Sequence, residues 1–179
     1  MSLKNLLFGG VISAPVEANA SIYPLVVAGR HGEEIDLSRY RGSVVLIVNT
    51  ASQCGFTKQY DALEELYQRH RDDRLVILGF PSNDFMGQEP KSDSEIESFC
   101  RVNFGVTFDL FPKAPVTGES IQPLFKALTT RGPKELRGAV RWNFEKFLLD
   151  REGRLVGRWR SWVNPRWRVF EKAIERQLA

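Results

Sequence analysis

Two stretches of this chain are unbroken apolar runs rich in β-branched residues: Val44-Val45-Leu46-Ile47-Val48 and Leu75-Val76-Ile77-Leu78-Gly79-Phe80. That pattern belongs to strands covered on both faces, as in parallel sheets. Between them Tyr60, Leu63, Leu66 and Tyr67 recur at helical spacing and predict a helix over 58–71. Ile22 to Val27 reads as an edge strand, because Pro24 lacks the N–H that a central strand needs, and Ile35 to Leu37 as its return. Ser92 and Glu95 form a capping-box pattern ahead of Ile96, Phe99 and Cys100, which starts a second helix. Residues 107–111 read as extended and 121–128 as helical, while 144–150 and 155–159 form a hairpin around Glu152-Gly153. Asn164-Pro165 predicts the start of a last helix, with Asn as its cap and Pro in its first turn.

This order implies an α/β layered domain with a central mixed sheet flanked by helices. Chemistry in such sheets gathers at the C-terminal ends of the strands. The segment after Val48 and the polar loop from Pro81 to Pro90 both leave buried strands at such ends, so they should lie side by side.

Composition and charge narrow the picture. At 179 residues the simplest organisation is one domain over 21–179, large enough to fold without disulfides or metal. The only cysteines are Cys54 and Cys100, which excludes a disulfide scaffold. His31 and His70 stand far from both in sequence, so no zinc motif is present and no metal or resident cofactor is expected. No run approaches the ~20 apolar residues of a membrane span. Net charge is only +3. Arg151, Arg154, Arg158, Arg160, Arg166, Arg168 and Arg176 crowd the last third, a solvated face rather than a nucleic-acid surface. Residues 1–20 form an N-terminal extension with two readings. Lys4, the apolar stretch Leu6 to Ile12 and Ala18-Asn19-Ala20 imitate a secretory signal, which would send the domain to the periplasm or outside the cell. The stretch is short, broken by glycines and followed by Pro15 and Glu17, which favours an ordinary extension and a cytoplasmic protein.

The candidate chemistry centres on Cys54, between the end of a buried strand and the start of a helix. Backbone N–H groups and the positive end of the helix dipole favour a thiolate there, and the thiolate is the reactive form. An inert buried cysteine is the alternative that residue type alone suggests.

Flanking residues decide between them. Asn-x-Ala-Ser-x-Cys-Gly-Phe-Thr at 49–57, Phe-Pro-x-Asn-x-Phe-x-Gly-Gln-Glu-Pro at 80–90 and Trp-Asn-Phe-x-Lys-Phe-Leu at 142–148 occur in that order. Together they resemble the signature segments of the glutathione peroxidase family in its cysteine form, from about Ser21 to the C-terminus. The resemblance implies a thioredoxin-like fold and a catalytic set of Cys54, Gln88, Trp142 and Asn143. It also implies a thiol peroxidase acting on hydrogen peroxide and organic hydroperoxides, with thioredoxin or glutathione as reductant. Neutral amide and indole donors can hold a thiolate and a departing oxygen without a histidine base. Taken singly, Gln88 is an ordinary loop residue, Trp142 a core aromatic and Asn143 a turn residue. Trp142 and Asn143 are adjacent, so both can serve one site only from a loop before the strand.

Departures from the family refine these expectations. Ser82 stands where many members have Cys, and Asp84 where many have Gln, so neither carries a redox role. The segment from Thr129 to Arg141 is short, which implies a monomer or weak dimer. Members that resolve the sulfenate internally carry a cysteine in the helix after Gln-Glu-Pro. Cys100 lies in that helix, one residue before the usual position, about 100° away around the helix axis. Two readings therefore stand for Cys100, a resolving thiol or a core residue. An alternative from another class is a peroxide-sensing thioredoxin-like redox or binding module. The missing C-x-x-C argues against a disulfide reductase.

Overall fold

The computed structural model describes residues 10–12 and 20–179. Its main sheet has six strands in the order β1-β8-β7-β4-β5-β6. These are β1 (Gly10–Ile12), β4 (Val44–Thr50), β5 (Leu75–Pro81), β6 (Asp109–Leu110), β7 (Lys146–Leu149) and β8 (Leu155–Trp159). Strand β4 is central, parallel to β5 on one side and antiparallel to β7 on the other. Four helices cover it: α1 (Gln59–His70), α2 (Asp93–Phe104), α3 (Pro123–Thr130) and α4 (Arg168–Leu178). A mixed sheet between helices is the architecture that the apolar runs imply.

All seven residues of β4 are buried, and its side chains alternate between two cores. Val44, Leu46 and Val48 meet Leu63 of α1, Ile96 and Cys100 of α2, and Phe170 and Ile174 of α4. Val45 and Ile47 face Leu124, Phe125 and Leu128 of α3. Helix α2 is closed at both ends. The Ser92 hydroxyl and the Glu95 carboxylate satisfy each other's backbone N–H groups, and Gly105 ends the helix at a left-handed φ of +61°.

Two boundaries differ most from the sequence pattern. The expected edge strand at Ile22 shortens to β2 (Val26–Ala28), which pairs with β3 (Glu34–Asp36) in a separate two-stranded sheet. Ile22 and Tyr23 bury their side chains in a turn that instead docks on the β7–β8 hairpin, where Ile22 N–H donates to Gly153 O at 3.0 Å. Helix α4 begins at Arg168 rather than at Asn164-Pro165. Asn164 does cap, but it caps an isolated turn: its Oδ1 accepts from the Arg166 N–H at 2.9 Å. Within the N-terminal stretch, β1 pairs with β8, Gly10 opposite Trp159. Its remaining residues up to Asn19, which hold most of the signal-like pattern, lie outside the described residues.

Candidate active site

Parallel pairing of β4 with β5 sends the chain out of both strands at one end, with Thr50 beside Pro81. The segment 51–57 and the loop 82–90 therefore start as neighbours, and hydrogen bonds lock them together. Gln53 N–H donates to Gln88 O at 3.0 Å. The fully buried Glu89 carboxylate accepts from the Ser52 N–H at 2.8 Å and the Ser52 hydroxyl at 2.6 Å. Burial raises the Glu89 pKa, and the two bonds from Ser52 oppose that rise. The loop is braced inside by the Glu89 N–H donating to Asn83 Oδ1 at 2.9 Å. Met86 and Gly87 turn it through successive positive φ values of +55° and +65°, which a Gly adopts freely. Asp84 fastens it outside, accepting from the Val116 and Thr117 N–H groups.

Cys54 is 8% exposed at the mouth of these loops. Thr57 fixes the bend around it: its hydroxyl accepts from the Cys54 N–H at 3.0 Å and donates to Ala51 O at 2.9 Å. The Phe56 N–H donates to Cys54 Sγ at 3.5 Å. Three turn residues and Lys58 intervene before α1, so the sulfur's backbone donor is this turn N–H rather than one of the helix's own.

The third loop is held by Asn49, the penultimate residue of β4. Its Nδ2 donates to Trp142 O at 3.0 Å, its Oδ1 accepts from the Glu145 N–H at 3.0 Å, and its backbone O accepts from the Phe144 N–H. Trp142 and Asn143 lie before β7, not in it, and Phe144 follows at a left-handed φ of +64°. This geometry allows adjacent residues to serve one site. Asn143 is fully buried and its Nδ2 donates to Gln88 Oε1 at 3.0 Å. Its Oδ1 is buried with no hydrogen-bond partner among the described residues. The Trp142 ring packs on Phe85, centroids 5.7 Å apart. A cleft of about 360 Å3 opens beside it, walled by Phe56, Trp142 and Trp162, with Arg141 and Arg160 in its lining.

Gln88 and Asn143 are thus joined directly, and Cys54 is tied to Gln88 through the adjacent Gln53. Cys100 sits in the interior instead, 0% exposed on the core side of α2. Burial pushes its thiol up to about 11, while the neighbouring Tyr60 hydroxyl pulls the other way. Sequence reasoning missed Asn49, Ser52, Thr57 and Glu89. Three of these stand inside the motif around Cys54 and one beside Gln88, so their motif membership was the available signal.

Comparisons with known proteins bear on the family and the fold. A family model described as glutathione peroxidase matches residues 22–129. A glutathione peroxidase homolog of Staphylococcus epidermidis is 46% identical over 145 residues, 81% of this chain and 92% of that protein. A glutathione peroxidase of Lactococcus lactis is 42% identical over 158 residues, 88% of this chain and 99% of its own. Among solved structures, Trgpx in its apo form superposes with a TM-score of 0.71 at 38% identity, covering 89% of this chain and 95% of that one. A thioredoxin-family thiol:disulfide interchange protein of Chlorobium tepidum shares the fold alone, with a TM-score of 0.63 at 12% identity, covering 93% of this chain and 100% of that one. With its thioredoxin-like fold, its three interlocked motif loops and relatives alike over nearly their whole length, this chain belongs to the glutathione peroxidase family of peroxidases.

Proposed function

We propose that Cys54 is the peroxidatic residue of a thiol peroxidase for hydrogen peroxide and organic hydroperoxides, with Gln88, Trp142 and Asn143 as its partners. The Cys54 thiolate attacks one peroxide oxygen. An S–O bond forms, the O–O bond breaks, and the departing oxygen takes a proton and leaves as water or an alcohol. Cys54 is left as a sulfenic acid. The observation that carries this reading is the Gln88–Asn143 hydrogen bond, which joins two of these partners directly, while the backbone bond from Gln53 to Gln88 ties the Cys54 turn to the same loop.

The sulfenic acid is then reduced by thiols. One thiol forms a mixed disulfide and releases water; a second displaces it and restores Cys54. Glutathione or thioredoxin can supply these thiols. Resolution by Cys100 is the internal alternative, and it requires α2 to unwind, because that thiol is fully buried in a helix capped at both ends. Direct attack at the mouth requires no such opening, so we favour an external thiol. Two free cysteines suit a reducing compartment, which favours the cytoplasm. Among the described residues no helix is long and apolar enough to cross a membrane. The short segment between α3 and Trp142 favours a monomer or weak dimer.

The test is steady-state consumption of hydrogen peroxide by wild type, Cys54→Ser and Cys100→Ser. One arm contains thioredoxin and its reductase, the other glutathione and its reductase. The reading requires Cys54→Ser to lose turnover, and full turnover in that variant sinks it. Loss in Cys100→Ser confined to the thioredoxin arm would establish Cys100 as the resolving thiol. Rapid Cys54 oxidation with negligible turnover in both arms would mark a peroxide sensor instead.

A further inference from the structure

One cluster of donor side chains lies apart from Cys54 and takes no part in the peroxide chemistry. His70 at the end of α1 and Glu171 and Glu175 on α4 bring one donor atom each to within 4.8 Å of one another. Glu171 and Glu175 are four residues apart and share a face of their helix. The His70 side chain is only 12% exposed, and its two nitrogens are differently placed. Nδ1 lies 3.3 Å from Asp73 Oδ2, whereas Nε2 is buried with no hydrogen-bond partner among the described residues.

A buried polar atom without a partner is uncommon and calls for an explanation. One ring nitrogen of His70 lies within 4.8 Å of a carboxylate oxygen of each glutamate, and with the proton on Nδ1 toward Asp73 the bare lone pair is on Nε2. Lone pair and carboxylates repel one another, and a divalent cation among them turns that repulsion into three bonds. A carboxylate on the far nitrogen is also the usual support of a metal-bound histidine, since it fixes tautomer and ring orientation. We propose that His70, Glu171 and Glu175 form a site for a divalent transition-metal ion of the zinc class, with Asp73 as the positioning residue behind His70. One imidazole and two carboxylates suit zinc, with solvent in the fourth position, and the imidazole disfavours magnesium and calcium. Bonds of about 2.0–2.2 Å bring tetrahedral donors to about 3.4 Å apart. The three donors must therefore draw together by roughly an ångström. Arg69 is ion-paired with Glu171 and competes with the ion for that carboxylate. The site would fasten the end of α1 to α4. No short sequence motif announces it, because its donors come from helices a hundred residues apart in the chain.

The test is calorimetric titration of zinc chloride into chelator-stripped full-length Cys54→Ser, the background that removes the thiol at the mouth, with thermal unfolding in parallel. One equivalent should bind and raise the melting temperature, and magnesium chloride should do neither. Glu175→Gln, at an exposed position that tolerates substitution, should weaken binding by about tenfold or more. Asp73→Asn should weaken it about tenfold, the usual effect of losing the group behind a metal-bound histidine. Arg69→Gln should tighten it by releasing Glu171, an effect that a purely structural ion pair would not produce. Absence of binding, or binding indifferent to both Glu175→Gln and Arg69→Gln, overturns the proposal.

Discussion

Single residues set the geometry of the mouth. Phe144 holds a left-handed φ that costs a bulky residue on the order of 1–3 kcal/mol. Its ring buries completely, edge-on to Tyr60, and that packing holds the conformation in place. The motif Trp-Asn-Phe was legible in the sequence; the positive φ was not, because nothing marks a phenylalanine as a turn-former. Glu89 shows the same division. Its place beside Gln88 was legible, but its two bonds to Ser52 depend on a partner 37 residues away. Replacing it by Gln sets an amide donor against the Ser52 donors or leaves one of them unmet, at about 1–3 kcal/mol. Because burial raises the carboxyl pKa, the folded state holds this proton more tightly than the unfolded chain. The stability Glu89 contributes is therefore greatest below its ordinary 4.5 and is lost as pH rises through the raised value. Urea midpoints of wild type and Glu89→Gln across this range should differ in slope, and parallel profiles would refute the assignment.

Between elements, the decisive tie is Lys146 on β7. It is fully buried, and its Nζ donates to Gln59 Oε1 in α1, to Val163 O at 2.7 Å and to Ser161 O at 3.2 Å. Three acceptors match the three hydrogens of an ammonium. One side chain thus joins the sheet to the start of α1 and to the turn that carries Trp162. Desolvation pulls its pKa from 10.5 down to about 7, and Glu145 opposes the fall. Between these values the unfolded chain binds the extra proton, so stability rises with pH. Chemical denaturation should show that climb from about pH 7 toward 10.5 in wild type and its loss in Lys146→Met. An unchanged slope would show that another group supplies it. The strand itself was visible as an apolar run, but a buried lysine within it was not, since charged residues are almost never fully buried unless paired. Helix α4 was misplaced at its start for a related reason: Asn164 and Pro165 carry good capping chemistry and spend it on a turn one step earlier.

At the scale of the molecule, α/β layering and the meeting of two loops at one sheet end followed from the two apolar runs, because parallel neighbours must release their chains on the same side. The arginine-rich last third was harder to read. In the structure Arg158 and Arg160 share the buried Glu145, Arg154 pairs with Asp150 and Glu152, and Arg166 pairs with Glu65. Arg158 is buried, whereas Arg154 and Arg166 make their pairs at the solvated surface, and a tally of charge along the chain cannot see these partners. The two sulfurs also divide by depth, one at the mouth and one beneath a doubly capped helix. That depth makes the inner thiol a clock for the opening of α2. In native buffer an alkylating reagent should take Cys54 promptly and Cys100 only as fast as the helix lets go. Adding urea below the unfolding transition should then quicken the second labelling far more than the first, and equal rates would mean that the interior thiol is open to solvent after all. The slow phase, followed by mass spectrometry, would report how often this fold exposes its interior during the working life of the molecule.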